Sequence, residues 1–168
     1  MKKSMLLFLL LSEILFSLNS YGQTQLDKEI FKVVNEYRIL NGLDTWVWNE
    51  DLFKVSEKHN YYQTQTGTVS HDESIDIKGH VEIRDLGDRV SEGVTFNWRC
   101  VGENLARVHN KDLTISEIAK RVLNGWINSP PHHKLLLSRS SMFDYGSVSS
   151  HPTSKGAYVT LNVTRLGN

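Results

Sequence analysis

Along the carboxy-terminal end of the chain, Ala157, Val159, Leu161 and Val163 alternate with Tyr158, Thr160, Asn162 and Thr164. A period of two is the signature of a strand, and it delivers all four aliphatic side chains to one face. Asp144-Tyr145-Gly146-Ser147-Val148 reads as a preceding strand. A turn between Pro152 and Gly156 would make the two an antiparallel hairpin. A sheet with one apolar face has to bury it against another layer, so the rest of the chain is read for elements able to cover it.

Helical patterns supply that cover. Ile30, Val33, Val34 and Tyr37, extended by Leu40, predict a helix over about 25–41. Thr24 with Asp27 three positions on forms its capping pair, and Asn41-Gly42 its stop. Trp46 and Trp48 follow as packing aromatics. Asn49 caps a second helix, with Glu50 and Asp51 at its positive end. Its buried stripe is Leu52, Val55, His59 and Tyr62, and it ends near Thr66-Gly67. His59 therefore lies on an apolar face, where a core histidine satisfied by one hydrogen bond is the expected role. Ile75 to Ser91 is polar, with a short helix at Asp85–Val90 and with His80 and Glu82 on the surface. Val94–Trp98 reads as a short strand and His109-Asn110-Lys111 as an exposed turn. Thr114 and Glu117 form a capping box for a third helix through Ile115, Ile118, Val122 and Trp126. Ser129 then caps a short helix with Pro130 in first position and Leu135, Leu136 and Leu137 buried. Three helices around a small antiparallel sheet make a layered α+β domain.

The amino-terminal residues stand apart. Lys2 and Lys3 precede the apolar run Met5–Leu11, and Ser20-Tyr21-Gly22 offers small residues for cleavage, so 1–22 reads as a signal peptide. The run is too short to span a bilayer, and no second long apolar segment follows. The expected product is a single domain over 23–168, secreted or periplasmic, monomeric and without a membrane span. Basic and acidic residues balance at 19 each. Without a strong field, neither nucleic acid nor an anionic membrane is an expected partner. Cys100 is the sole cysteine, so no intramolecular disulfide forms, and its expected role is that of a small buried apolar residue.

The chemistry concentrates in Val101-Gly102-Glu103-Asn104-Leu105-Ala106. Gly102 lets the backbone pass close to a neighbour, and Leu105 and Ala106 return it to the core. A carboxylate between them is costly to bury unless it meets a cation, a metal or several donors. His71 lies upstream in Val69-Ser70-His71-Asp72. His132 lies downstream in Trp126-Ile127-Asn128-Ser129-Pro130-Pro131-His132, in the first turn of the short helix, where free amides and the helix dipole lower its pKa.

In this order, the three segments resemble the CAP superfamily (cysteine-rich secretory proteins, antigen 5 and pathogenesis-related 1 proteins), and most closely its bacterial SCP-like extracellular branch. The resemblance runs from about Ile30 to Thr164, and the lack of disulfides agrees with the bacterial branch. It implies a three-layer αβα sandwich and a cavity lined by two histidines and two glutamates. His71, Glu103 and His132 match three of these positions; the fourth falls on Ser129. Pro131 stands where the family has glycine, which stiffens the approach to His132. His133 is a possible substitute for His132, although adjacent side chains on a helix point in different directions.

Two imidazoles and a carboxylate, His71, His132 and Glu103, are able to hold a divalent metal such as zinc with a position open to water. Without metal the same residues form a hydrogen-bonded polar cluster. The resemblance further implies a binding module for a lipid, a cell-envelope component or a protein partner. The alternative is a metal-dependent hydrolase of peptide or cell-wall bonds with Glu103 as general base. A serine hydrolase built on Ser129 or Ser70 has no Gly-x-Ser-x-Gly elbow behind it, Cys100 with His71 has only proximity, and no glycine loop for phosphates is present.

Overall fold

Thr24 accepts a hydrogen bond from the Asp27 amide while the Asp27 carboxylate accepts one from the Thr24 amide, and this reciprocal cap opens α1, Gln25–Leu40. The computed structural model describes residues 23–74, 84–109 and 112–167. Residues 1–22, read above as a signal peptide, His80, Glu82 and Asn110-Lys111, read above as part of a turn, lie outside them. Asn49 accepts from the Leu52 amide to start α2, Glu50–Thr66, which Gly67 ends. Asp85 and Asp88 form a second reciprocal cap for α3, Leu86–Gly93, and Thr114 and Glu117 a third for α4, Ile115–Ile127. The caps at Thr24, Asn49 and Thr114 are readable from sequence because each rests on a side chain within three residues of the free amides it satisfies. At the fifth helix, α5, Pro130–Leu136, the expected cap is not made. Ser129 occupies the cap position in extended conformation, but its side chain makes no capping hydrogen bond.

Four strands form one sheet in the order β1-β3-β4-β2. β3, Tyr145–Thr153, and β4, Gly156–Leu166, make the antiparallel hairpin through a two-residue turn at Ser154-Lys155, so Pro152 belongs to the strand and not to the turn. β1, Val47–Trp48, pairs with β3 in parallel, which makes the small sheet mixed at this edge. The other edge is β2, Trp98–Val108, antiparallel to β4. Val94–Asn97, expected to begin a strand, lies before it; the strand is the Glu103 stretch itself.

Helices cover both faces. α1, α4 and α5 bury Ile30, Val34, Val122, Trp126 and Leu136 against Val148, Val159, Leu161 and Val163. α2 and α3 cover the opposite face, with Leu52, Val55 and Val90 buried together at one end. The result is a three-layer α+β sandwich. Gly102 shows how tightly the layers close on β2: a Cβ there would lie 2.6 Å from Leu135 Cδ1 and 3.3 Å from Val163 Cγ2, so a larger residue forces the Leu135 side chain to move. Cys100 is only half-buried, and its thiol donates to the Met142 carbonyl at 2.9 Å, so it is partly polar in role.

Among the described residues, no helix is long and apolar enough to cross a membrane.

Candidate functional site

Alternation along β2 decides which way Glu103 faces. Gly102 and Asn104 point to the α5 layer, where Leu135 packs on the glycine and the Asn104 amide donates to the His132 carbonyl at 3.0 Å. Glu103 therefore points to the α2–α3 layer, beside Asn162 of β4. Its residue is 8% exposed, so its charge has to be met inside the protein.

Arg89 of α3 meets it. The guanidinium Nη2 donates to both carboxylate oxygens, at 3.0 Å to Oε1 and 2.9 Å to Oε2, and Arg89 is itself buried. Its Nη1 donates to the His71 carbonyl at 2.5 Å, which ties the loop after α2 to the same cation. The His71 ring donates from Nδ1 to Glu103 Oε1 at 3.0 Å. That hydrogen bond, followed by the charge of Glu103, raises the His71 pKa above its ordinary value and outweighs the opposing effect of burial. The side chain of His71 remains 55% exposed, so the ring is held at Nδ1 and open toward solvent.

A second carboxylate extends the cluster. Glu73, buried, accepts from His59 Nδ1 at 2.9 Å and from Arg84 Nη2. Burial pushes its carboxyl up, but these two donors overcome that and hold it below the ordinary glutamate range. His59 Nε2 meets the Ser70 carbonyl at 2.9 Å and lies 4.0 Å from Glu103 Oε1. Both of its ring nitrogens thus face acceptor oxygens, so His59 makes two hydrogen bonds where one was expected. It links the two carboxylates instead of filling an apolar stripe.

His132 approaches from the other layer. Its pKa is lowered, first by burial and then by the positive charge of His71; the expected direction holds, with neighbours rather than helix amides as the cause. His133 turns away to Tyr37, with Nε2 2.7 Å from the phenol oxygen, and is no substitute for His132. Ser129 has no side-chain hydrogen bond that would bring it into the cluster. Among the described residues, no three His, Cys, Asp or Glu side chains converge in a metal-holding arrangement. The donor set explains this: Glu103 directs both oxygens at Arg89 and shares one with His71.

Arg89, Glu73 and Arg84 carry no sequence signal of their own. The one available clue is the requirement that a buried Glu103 find a cation, which leaves every arginine and lysine in the chain a candidate.

The family model "Cysteine-rich secretory protein family" matches residues 31–162. Among solved structures, an outer surface protein of Borrelia burgdorferi aligns with a TM-score of 0.67 at 17% identity, over 87% of this chain and 96% of that one. An extracellular SCP-domain protein of Bacillus anthracis aligns at 0.61 and 25% identity, over 83% of this chain. A cysteine-rich secretory protein of Staphylococcus aureus aligns at 0.58 and 19% identity, over 87% of this chain. The chain spans 40% of the length of each of the latter two. No curated protein sequence matches.

Proposed function

The chain belongs to the cysteine-rich secretory protein (CAP) family, and on that premise we propose that it is an exported binding module whose recognition edge is formed by His71 and His132. The observation that carries this reading is the clamp on Glu103. A general base needs a free lone pair directed at the water it deprotonates. Arg89 and His71 engage both carboxylate oxygens instead, and the side chain is 1% exposed, so the one acceptor site left on Oε2 has almost no access to water and Glu103 acts as an anchor that aims the His71 ring. The ligand is a cell-envelope component, a lipid or a protein partner, and the leader-like 1–22 segment supports export. The extracellular and surface relatives from bacteria support the same compartment.

A divalent metal at this edge would have to be held by the two imidazoles alone, since no third ligand converges with them among the described residues. With Nδ1 committed to a carboxylate, His71 has Nε2 available, which is the carboxylate–histidine–metal arrangement of outer-shell design. His132, whose pKa is lowered, supplies a second neutral imidazole. Glu103 is then an orienting group and not a ligand. A bound metal would supply a Lewis-acidic point for an oxygen or nitrogen of the partner; the chain's own residues hold and orient the two rings.

Zinc calorimetry on the protein tests the reading. Saturable binding lost in a His71→Ala, His132→Ala double variant, and weakened about 10–100-fold by Glu103→Gln, is expected for an outer-shell carboxylate. Zinc-dependent hydrolysis of peptide or glycan substrates that Glu103→Gln abolishes would overturn it in favour of the hydrolase.

A further inference from the structure

A second feature lies away from the histidines, at the start of β2. Trp98 pairs with Leu166 and Cys100 with Arg165, so Arg99 is the extra residue of a β-bulge. A bulge breaks the alternation of the strand and re-aims a side chain. Here Trp98 and Arg99, which a regular strand would send to opposite faces, both line one open cavity of about 590 Å³ together with Ser91, Phe96, Asn97 and Gly167.

The cavity is built and not merely left over. The Gly167 amide donates to the Asn97 carbonyl at 2.7 Å just beyond the bulge, closing one wall. A Cβ on Gly167 would sit 3.1 Å from Asn97 Cβ and 3.3 Å from its carbonyl oxygen, so a side chain there would crowd that wall. Phe96 and Trp98 are half-buried: each packs on one side against the Leu52, Val55 and Val90 cluster and contributes its remaining surface to the cavity wall. Arg99 is exposed, and among the described residues its guanidinium has no hydrogen bond or ion pair; the side chains of Ser91 and Asn97 are equally uncommitted there. Among the six lining residues the only charge is this cation.

We infer that this cavity is a binding site for an acidic saccharide. An uncommitted guanidinium is a fork for a carboxylate. Ring faces against aromatic side chains, with neutral hydroxyl and amide partners nearby, suit a pyranose better than a wholly apolar acid. The volume falls within the roughly 300–1,000 Å³ of small-ligand sites. The site goes beyond the His71–His132 edge and does not depend on it.

The test is titration of the protein with glucuronate, followed through the Trp98 indole signal in nitrogen-edited NMR spectra and assigned with Trp98→Phe. Glucose and benzoate serve as the neutral sugar and the non-sugar acid. Saturable shifts confined to the cavity are expected, at least about tenfold weaker with either control and with Arg99→Gln. Arg99 is exposed, so that variant retains the fold, and His71→Ala should bind glucuronate as the wild type does. No shift at high millimolar glucuronate overturns the inference. So does equal binding of glucose, which removes the acid, or tighter binding of benzoate, which removes the sugar. Insensitivity to Arg99→Gln places the ligand elsewhere and overturns it too.

Discussion

The two faces of the sheet are both buried, yet they are built on opposite principles. Toward α1, α4 and α5 the contacts are aliphatic and aromatic: Ile30, Val34 and Trp126 meet Val159, Leu161 and Val163. Toward α2 they are largely polar: Ser56, His59, Asn60 and Gln63 meet Ser147, Ser149, Thr160 and Asn162, all at or near zero exposure. Their hydrogen bonds interlock. Thr160 donates to the Asn60 amide oxygen at 2.7 Å, Asn60 donates to the Ser149 carbonyl at 2.7 Å, and Ser56 Oγ lies 3.2 Å from Ser147 Oγ. The apolar face stabilises through area removed from water and tolerates repacking. The polar face depends on the partners that Asn60, Thr160 and Ser56 keep, and it already carries the cost of Asn162 and Gln63 Oε1, which have none among the described residues. The Glu103 cluster lies on this second face, where a buried carboxylate finds donors already fixed.

If that contrast is right, the largest loss follows from leaving a charge alone on the polar side. Arg89→Met should destabilise by about 3–5 kcal/mol in urea unfolding, because Glu103 stays buried without its cation. Arg89→Met with Glu103→Leu should recover most of it, since removing both charges removes the cost of burying either. On the apolar side Leu161→Ala should cost about 2–5 kcal/mol as a cavity. Thr160→Val, nearly the same shape, should cost about 1–3 kcal/mol by removing two buried hydrogen bonds, one to Asn60 and one from Gln63. Equal tolerance of Thr160→Val and of a Leu161→Ile swap would erase the contrast.

A smaller effect is in pH. Glu73 is held below its ordinary value of 4.5, so its contribution to stability is complete above that value and is lost as pH falls through its lowered folded value. Glu73→Gln should remove this part of the acid dependence of the unfolding midpoint, leaving a flatter profile below about pH 5.

What was legible in the sequence sorts along the same line. The apolar face is written in periodicity: Ile30-Val33-Val34 and Val159-Leu161-Val163 repeat at helix and strand spacing, and the caps Thr24, Asn49 and Thr114 are local. His71, Glu103 and His132 were legible as a set through motif order, and the structure gathers His71 with Glu103 directly. The polar face is not periodic in any useful sense. Ser56 and Asn60 on α2 look like solvent-facing residues until strands far along the chain are folded over them. β1 was missed because two residues, Val47 and Trp48, are too few to show alternation, and their parallel partner lies about a hundred positions away. Arg89 was missed because a cation's partner is a fact of tertiary structure: it lies 14 residues from Glu103 in sequence, on a different element.

The most direct measurement is the pKa of His71 by NMR titration of its ring protons, in the wild type and in Glu103→Gln. A clamp in which Glu103 aims His71 predicts a wild-type value raised above 6.5, returning toward or below that ordinary value once the carboxylate is neutral. A wild-type value at or below 6.5, or one that Glu103→Gln leaves unmoved, would show that Glu103 is not committed to His71, and the orienting role would fall.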